Sequence, residues 1–268
     1  MAAFVSRFFT LTAQVSTPTL EPKNKTNDIT PSGPDHSKEA FVEEEDGTKV
    51  DFENDGSYTR EISARIRIQS DAGVQQFGTL KFAYQGAVEN IEVDYVRVVR
   101  PDGTIISTPA DSSQDMPAEI TRQAPFYSDL REKHIAVRGL SVGDLLEMMV
   151  HWHSIKPLAP GQFWYSFNFS RDFIVLHQEI QITTPKDRVI KWKSPELNPV
   201  ISEQGSRRLY VWTRSVLEHM SADDQKKQQN KQTYQLARGN LSPPDVQIST
   251  FQSWDELELG TTSCSLIA

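Results

Sequence analysis

The chain has 268 residues, of which 37% are hydrophobic, and a formal net charge of −8, so it can bury a core beneath an acidic surface. The acidic balance argues against a general nucleic-acid binder, because phosphate binding needs an excess of Lys and Arg. The lack of a long apolar run excludes a membrane-spanning helix. The single cysteine, Cys264, excludes an internal disulfide and a Cys-rich zinc site.

The N-terminal segment predicts little folded structure. Residues 1–13 read MAAFVSRFFTLTA, where polar residues interrupt the apolar stretch of a secretory signal, so a signal peptide is not convincing. Residues 16–38 contain four prolines and too few apolar side chains to offset the entropy lost on ordering. We therefore expect a disordered leader and linker over residues 1–38. The acidic run Glu43–Asp46 is interpreted as a solvated segment rather than as a metal site.

Residues 39–213 have the pattern of consecutive β-strands. The segment Tyr58–Gln69 alternates apolar with charged residues, a period that is typical of a strand with one buried and one wet face. Asp-Gly pairs at Asp55 and Asp102 predict tight turns. The stretch 110–132 has little periodicity and predicts a long loop. Because no helical period separates the strands, we predict a mainly-β fold, a two-layer antiparallel β-sandwich over residues 39–213.

The C-terminal part of the chain has a different composition. Residues 215–238 are rich in helix formers and nearly free of β-branched residues, which predicts a polar helical arm. Few of its residues are apolar, so the arm has little to bury against the sandwich. We expect residues 214–256 to form this arm and a connector, and residues 257–268 to form an unstructured tail.

Few residues suggest chemistry, and the sequence contains no phosphate-binding loop and no zinc-protease or serine-hydrolase motif. Cys264 lies in a polar C-terminal segment that offers no neighbour to favour the thiolate. His151 and His153 could present two nitrogens to zinc from one strand, but no third ligand is identified. Arg65 and Arg67 are interpreted as a solvated face rather than a phosphate site. We therefore assign no catalytic, cofactor-binding or metal-binding residue, and no cofactor.

The tryptophans leave two interpretations open. All five lie in or beside apolar runs: Trp152, Trp164, Trp192, Trp212 and Trp254. If several were exposed on one sheet face, they would stack against sugar rings or a peptide, whereas the favoured interpretation is that they fill the core. Exposure of at least two of them along one open groove would favour binding.

Four segments, in a fixed order, resemble a known bacterial family. They are FENDGSYTREISARIRIQSDAGVQQFG (52–78), YVRVVRPDGTIISTP (95–109), KHIAVRGLSVGDLLE (133–147) and PPDVQISTFQSWDEL (243–257). Over about residues 39–256 the chain is similar to the domain of unknown function that lies N-terminal to transglutaminase-like domains. The resemblance implies a β-sandwich-like accessory domain, commonly in exported or cell-envelope proteins, with no known activity of its own.

The resemblance also implies a second, catalytic domain after this one in its relatives. In that family the sequence Ser-Trp-Asp-Glu, here Ser253–Glu256, opens a helix that leads into a papain-like transglutaminase fold. Ser253 and Glu256 have the spacing of a capping box. The present sequence departs from the family at Leu257, and the family's catalytic Cys, His and Asp have no counterpart in it. The resemblance therefore implies truncation before the catalytic domain.

Three functional hypotheses arise from the sequence. The first is a non-catalytic accessory domain, not an enzyme, that supports or docks a transglutaminase-like domain or another protein partner, without nucleic acid. The second is a glycan- or peptide-binding sandwich. The third is a small hydrolase that uses His134 with Asp129 or Glu132, which requires side chains within hydrogen-bond reach in a cleft.

Overall fold

The computed structural model describes residues 35–123, 129–219, Lys226 and residues 244–252. Its strands, in chain order, are β1 (Phe41–Phe52), β2 (Tyr58–Ile68), β3 (Thr79–Gln85), β4 (Glu89–Val99), β5 (Ile105–Thr108), β6 (Gln114–Pro117), β7 (Leu130–Ala136), β8 (Leu145–Ser154), β9 (Trp164–Phe167), β10 (Val175–Pro185), β11 (Lys191–Lys193), β12 (Val200–Gln204), β13 (Arg207–Val216) and β14 (Val246–Ser249). The helices are α1 (Asp71–Phe77) and α2 (Glu119–Gln123), with a 3-10 turn at Ala110–Ser112.

The strands form one large and two small sheets. The large sheet has eight strands in the order β12-β13-β10-β1-β2-β8-β4-β5, and the small sheets have the orders β11-β14-β9 and β3-β7-β6. Every neighbouring pair in the large sheet is antiparallel except β1 and β10, which run parallel. The β1–β2 connection is the predicted Asp-Gly turn, where Gly56 has a φ of 93°, a conformation that favours glycine.

Both halves of the core lie on one face of the large sheet. Thr48, Val50 and Phe52 of β1 pair with Ile62, Arg60 and Tyr58 of β2, and paired cross-strand residues share a face. The sheet β3-β7-β6 packs on the half that contains β2, β8 and β4, and the sheet β11-β14-β9 packs on the half that contains β1, β10 and β13. This arrangement confirms the predicted mainly-β, two-layer fold, in which one face of the large sheet stays wet.

Several elements differ from the sequence-based expectation. A short helix, α1, lies between β2 and β3, where the sequence predicted consecutive strands, because the N-cap Ser70 accepts a hydrogen bond from the Gly73 N–H. The stretch 110–132, expected to be a long loop, contains β6, α2 and the start of β7 in its described part. Strand β14 lies within residues 214–256, which the composition assigned to a helical arm and connector. Such short strands pair by tertiary contact and carry little periodicity of their own.

The predicted helical arm lies mostly outside the described residues, as do the leader and the tail. Residues 215–216 belong instead to β13, which continues past the expected end of the sandwich at residue 213. Neither helix in the described part of the chain has the length and apolar character that crossing a membrane requires.

Candidate functional site

The outer face of the sheet β11-β14-β9 forms an open groove of ≈ 310 Å³. Two rows of cross-strand neighbours span it, Trp164–Ser249–Lys191 and Ser166–Gln247–Lys193. The intervening residues, such as Ile248 and Val246, are buried in the core, so the alternation along each strand turns these two rows outward. We call this surface the Trp164 groove. Small polar side chains from β14 form its floor, and Trp164 and the two lysines form its opposite walls.

The polar groups of the Trp164 groove are only partly satisfied by the protein. Lys191 Nζ donates to the Gln252 carbonyl oxygen at 2.5 Å, and Ser249 Oγ accepts from the Phe251 N–H at 3.1 Å. Within residues 35–123, 129–219 and 244–252, neither Lys191 nor Lys193 forms an ion pair with a carboxylate. The Trp164 ring, 44% exposed, contacts the Phe251 ring at a centroid distance of 5.5 Å. The groove therefore presents an aromatic face opposite two positive charges.

The four described tryptophans divide between the core and the surface. Trp152 and Trp212 are buried, and the Trp152 Nε1–H donates to the Ala83 carbonyl oxygen at 3.0 Å. Trp192 also lines the Trp164 groove and is 38% exposed, and its ring contacts Trp212 edge-on at a centroid distance of 6.3 Å. Trp164 and Trp192 are thus the two exposed tryptophans among these four, and both line one open groove, which favours the binding interpretation of the tryptophans. Trp254 lies outside the described residues.

The proposed hydrolase pair is only partly assembled. His134 Nε2 lies 2.7 Å from Glu132 Oε2, and both side chains are half-buried on the outer side of β7. Asp129 instead accepts a hydrogen bond from the Ala87 N–H at 2.9 Å, so it is engaged with the backbone of another turn. Neither His134 nor Glu132 lines the Trp164 groove. Neither lines the second groove, which Arg65, Arg97 and Glu147 border on the wet face of the large sheet.

The two histidines considered for zinc contact carboxylates. His151 Nε2 lies 3.0 Å from Glu61 and its Nδ1 lies 3.2 Å from Asp94, so both ring nitrogens are occupied. His153 stacks on His151 with ring centroids 6.0 Å apart. Burial raises the pKa of Glu61, but hydrogen bonds from Lys49 and His151 outweigh it and lower that pKa overall. In the described ranges, no group of three or more His, Cys, Asp or Glu side chains is arranged to hold a metal ion.

Arg65 and Arg67 lie on the wet face of the large sheet, in a network of ion pairs. Arg67 donates to Glu44 through two nitrogens at 2.9 and 3.0 Å. A row of alternating charge crosses four strands, consisting of Glu45, Arg65, Glu147 and Arg97. It borders a shallow groove of ≈ 290 Å³. Because carboxylates already neutralise these arginines, the surface offers little free positive charge to a phosphate.

The acidic run Glu43–Asp46 is not the solvated segment that the sequence suggested. A β-bulge between Glu43 and Glu45 turns both Glu43 and Asp46 toward the core face, opposite Ile66 and Ala64 of β2. Burial raises the pKa of Glu43 to about 8, and the nearby charge of Asp46 adds to this effect. Burial also raises the pKa of Asp46, against a hydrogen bond from Gln178 that lowers it.

A second polar cluster lies between the two halves of the core. Glu89, 7% exposed, accepts hydrogen bonds from the Tyr58 hydroxyl and from the Gln85 N–H at 2.9 Å. The Arg60 guanidinium lies 3.9 Å from Glu89 and stacks on the Trp152 ring at 4.4 Å. Burial raises the pKa of Tyr58, and the hydrogen bond to Glu89 raises it further. These contacts link β2 to β3 and β4.

The remaining sequence candidates cannot be placed. Cys264, Ser253 and Glu256 lie outside the described residues. The Trp164 groove itself was missed by sequence reasoning, because β14 was not recognised as a strand and the three strands that build the groove are far apart in sequence. The alternation of Val246 and Ile248 with polar residues was the signal that could have revealed it.

Comparison with solved structures shows the fold in a longer protein. A crystal structure described as a "putative protease" from Parabacteroides distasonis ATCC 8503 matches with a TM-score of 0.65 and 16% identity over 81% of this chain and 41% of that one. An M1 zinc metallopeptidase from Deinococcus radiodurans matches 65% of this chain and 39% of its own with 6% identity, but its TM-score of 0.34 supports no argument. The chain thus spans about two fifths of the solved structures it matches. No curated protein matches it.

A family model matches residues 54–220, more than half of the chain. The match begins after β1 and ends before β14, although β1 lies between β10 and β2 in the large sheet and β14 is the central strand of its small sheet. The folded unit therefore extends beyond the matched residues at both ends. On this match the chain belongs to the DUF3857 family, a domain of unknown function for which structures have been solved.

Proposed function

We propose that this chain is a non-catalytic β domain that supports or docks a transglutaminase-like catalytic domain. The four sequence segments that resemble the domain preceding transglutaminases support the proposal. So does the fold match to a structure of which this chain covers 41%. In this role the domain holds its partner in a defined position and leaves the bond-breaking chemistry to it.

The observation that carries the proposal is the anchoring of β14. This strand lies between β9 and β11, so both of its edges are hydrogen-bonded. Immediately after it, Thr250 Oγ1 accepts from the Phe163 N–H at 2.8 Å and donates to Gln162 at 2.6 Å. The described part of the chain therefore ends, at Gln252, next to residues that are anchored in the sandwich. An anchored end of this kind is what an accessory domain needs in order to position a domain joined to it.

The histidines that come closest to a catalytic arrangement, His134 and His151, support a role without catalysis. Hydrolysis by His134 and Glu132 needs a substrate cleft that excludes water, but the pair lies on the outer side of a three-stranded sheet. The neighbours of His134 across β7 are Lys81 and Gln114, neither of which is a nucleophile. His151 is held between two carboxylates on the wet face.

The proposal is tested by assaying the purified chain. We expect no cleavage of fluorescent casein and no incorporation of a fluorescent amine into a glutamine donor protein. A transglutaminase-like domain from a DUF3857-containing protein, added separately, should bind the chain, as measured by light scattering after gel filtration. Cleavage or cross-linking that is lost in Cys264→Ala or in His134→Ala would overturn the non-catalytic assignment. Failure of the two domains to associate at millimolar concentration would overturn the docking role.

A further inference from the structure

We propose that the Trp164 groove binds an anionic oligosaccharide, of the class that contains uronic acid residues. The proposal is independent of the accessory role proposed for the domain. The groove has a volume of ≈ 310 Å³ and is lined by two exposed indoles, two lysines, an amide and two hydroxyls. Each of these groups corresponds to one chemical feature of an acidic sugar chain.

The aromatic wall of the groove is complementary to a sugar ring. Trp164 is 44% exposed and is held in place by Phe251, so its indole is a pre-oriented platform. The carbon-bound hydrogens of a pyranose form an apolar face, and packing this face on an indole removes apolar surface from water on both sides. Two strand spacings separate Trp164 from Lys191, about 10 Å, which leaves room for one sugar chain between the walls.

The two lysines of the groove favour a ligand that carries negative charge. Lys191 donates one of its three N–H groups to the Gln252 carbonyl, and neither Lys191 nor Lys193 forms an ion pair with a carboxylate in the described part of the chain. The protein as a whole carries a net charge of −8. A ligand that prefers this face over the rest of an acidic surface is therefore one that carries negative charge, which carboxylates supply in a uronic acid chain. Strand geometry places Lys191 and Lys193 about 7 Å apart on the same side of the groove.

The floor of the groove favours a sugar over a peptide. The backbone of β14 is already paired with β9 and β11, so an extended peptide cannot add to it by main-chain hydrogen bonds. The side chains that remain, Gln247, Ser166 and Ser249, each contain both donor and acceptor atoms. Groups of this kind suit sugar hydroxyls, which also donate and accept.

The test is calorimetric titration of the full chain with hexagalacturonate, in parallel with cellohexaose and hexaglutamate. We expect hexagalacturonate to bind about tenfold more tightly than either control, and the affinity to fall as salt increases. Trp164→Ala and Lys193→Gln should each weaken binding about tenfold. Lys81→Gln, which changes an exposed lysine on the other small sheet, is the matched control and should bind normally.

Each alternative result overturns the proposal. Equal binding of hexaglutamate would assign the groove to an acidic peptide, and equal binding of cellohexaose would remove the role of the lysines. Absence of hexagalacturonate binding at millimolar concentration, or binding that neither Trp164→Ala nor Lys193→Gln weakens, would remove the site. Because Lys193 is exposed, Lys193→Gln should keep the wild-type thermal midpoint and remain informative if Trp164→Ala unfolds.

Discussion

Replacing Glu43 by Gln should remove a large pH dependence from the stability of the domain. Glu43 follows Phe41 and Val42 in β1 and lies on the core face, opposite Ile66 of β2. Burial raises its pKa from 4.5 to about 8, and the charge of Asp46 adds to this rise. Glutamine has the shape of the protonated acid but does not ionise, so the variant keeps the packing and loses the titration.

The size and direction of the effect follow from the pKa. The folded state holds the Glu43 proton more tightly than the unfolded chain does. The stabilisation that this proton gives to the folded state is therefore complete below pH 4.5. It is lost as the pH rises toward 8, at about 1.4 kcal/mol per pH unit. Between pH 5 and pH 9 the wild type should therefore lose about 4 kcal/mol that Glu43→Gln retains. Asp46, whose pKa is also raised, acts in the same direction in both proteins.

Urea unfolding at pH 5, 7 and 9, followed by tryptophan fluorescence, measures this difference. The advantage of Glu43→Gln over the wild type should grow steadily with pH. Glu45→Gln is the matched control, because Glu45 lies beyond the bulge with a side chain that is 58% exposed, and it should show no such growth. A stability difference between Glu43→Gln and wild type that stays constant within about 0.5 kcal/mol from pH 5 to pH 9 would refute the reasoning.

Three further predictions concern contacts between segments that are distant in sequence. Glu89→Ala should lower the free energy of unfolding by about 2 kcal/mol, because it leaves the Tyr58 hydroxyl and the Gln85 N–H, both partly buried, without this acceptor. The exposed control Glu92→Ala should cost little, and equal urea midpoints for the two variants would contradict the prediction. Arg171→Ala should cost about 2 kcal/mol at pH 7. Hydrogen bonds from Arg171 outweigh burial and lower the pKa of Asp245, so this cost should shrink as the pH falls below about 4, and a cost that does not change with pH would be inconsistent. A chain that begins at Asn54, where the family match starts, lacks β1 and should show no cooperative urea transition by circular dichroism, unlike one that begins at Asp35; a shared midpoint would disprove the need for β1.

Charged and apolar residues alternate along the strands of the large sheet, because one of its faces is exposed and the other packs in the core. On the wet face, Arg65 is surrounded by Glu45 and Glu147, and these exposed pairs contribute little stability individually. On the core face lie two carboxylates, the half-buried Glu43 and the buried Glu89. Stability should therefore respond strongly to changes at these two carboxylates and weakly to changes in the charged rows.

Only the tertiary structure shows which contacts the candidate histidines make. Two histidines on a strand and a histidine two residues from a glutamate are equally plausible from sequence. The structure places His151 between Glu61 and Asp94, and it leaves His134 on an outer sheet face with Glu132. The carboxylate partners of His151 come from β2 and β4, and this neighbourhood depends on strand order, which periodicity does not encode.

The sequence by itself determined the mainly-β class, the wet and buried faces of β2, and the Asp-Gly turn between β1 and β2. Period-two alternation and glycine at positive φ are local properties, so they can be recognised in one segment at a time. Only the tertiary structure decided that β1 runs parallel to β10, that a bulge turns Glu43 inward, and that Trp164 and Trp192 line one groove while Trp152 and Trp212 are buried. Alternation states that neighbouring side chains point to opposite sides, but only the second layer decides which side is buried.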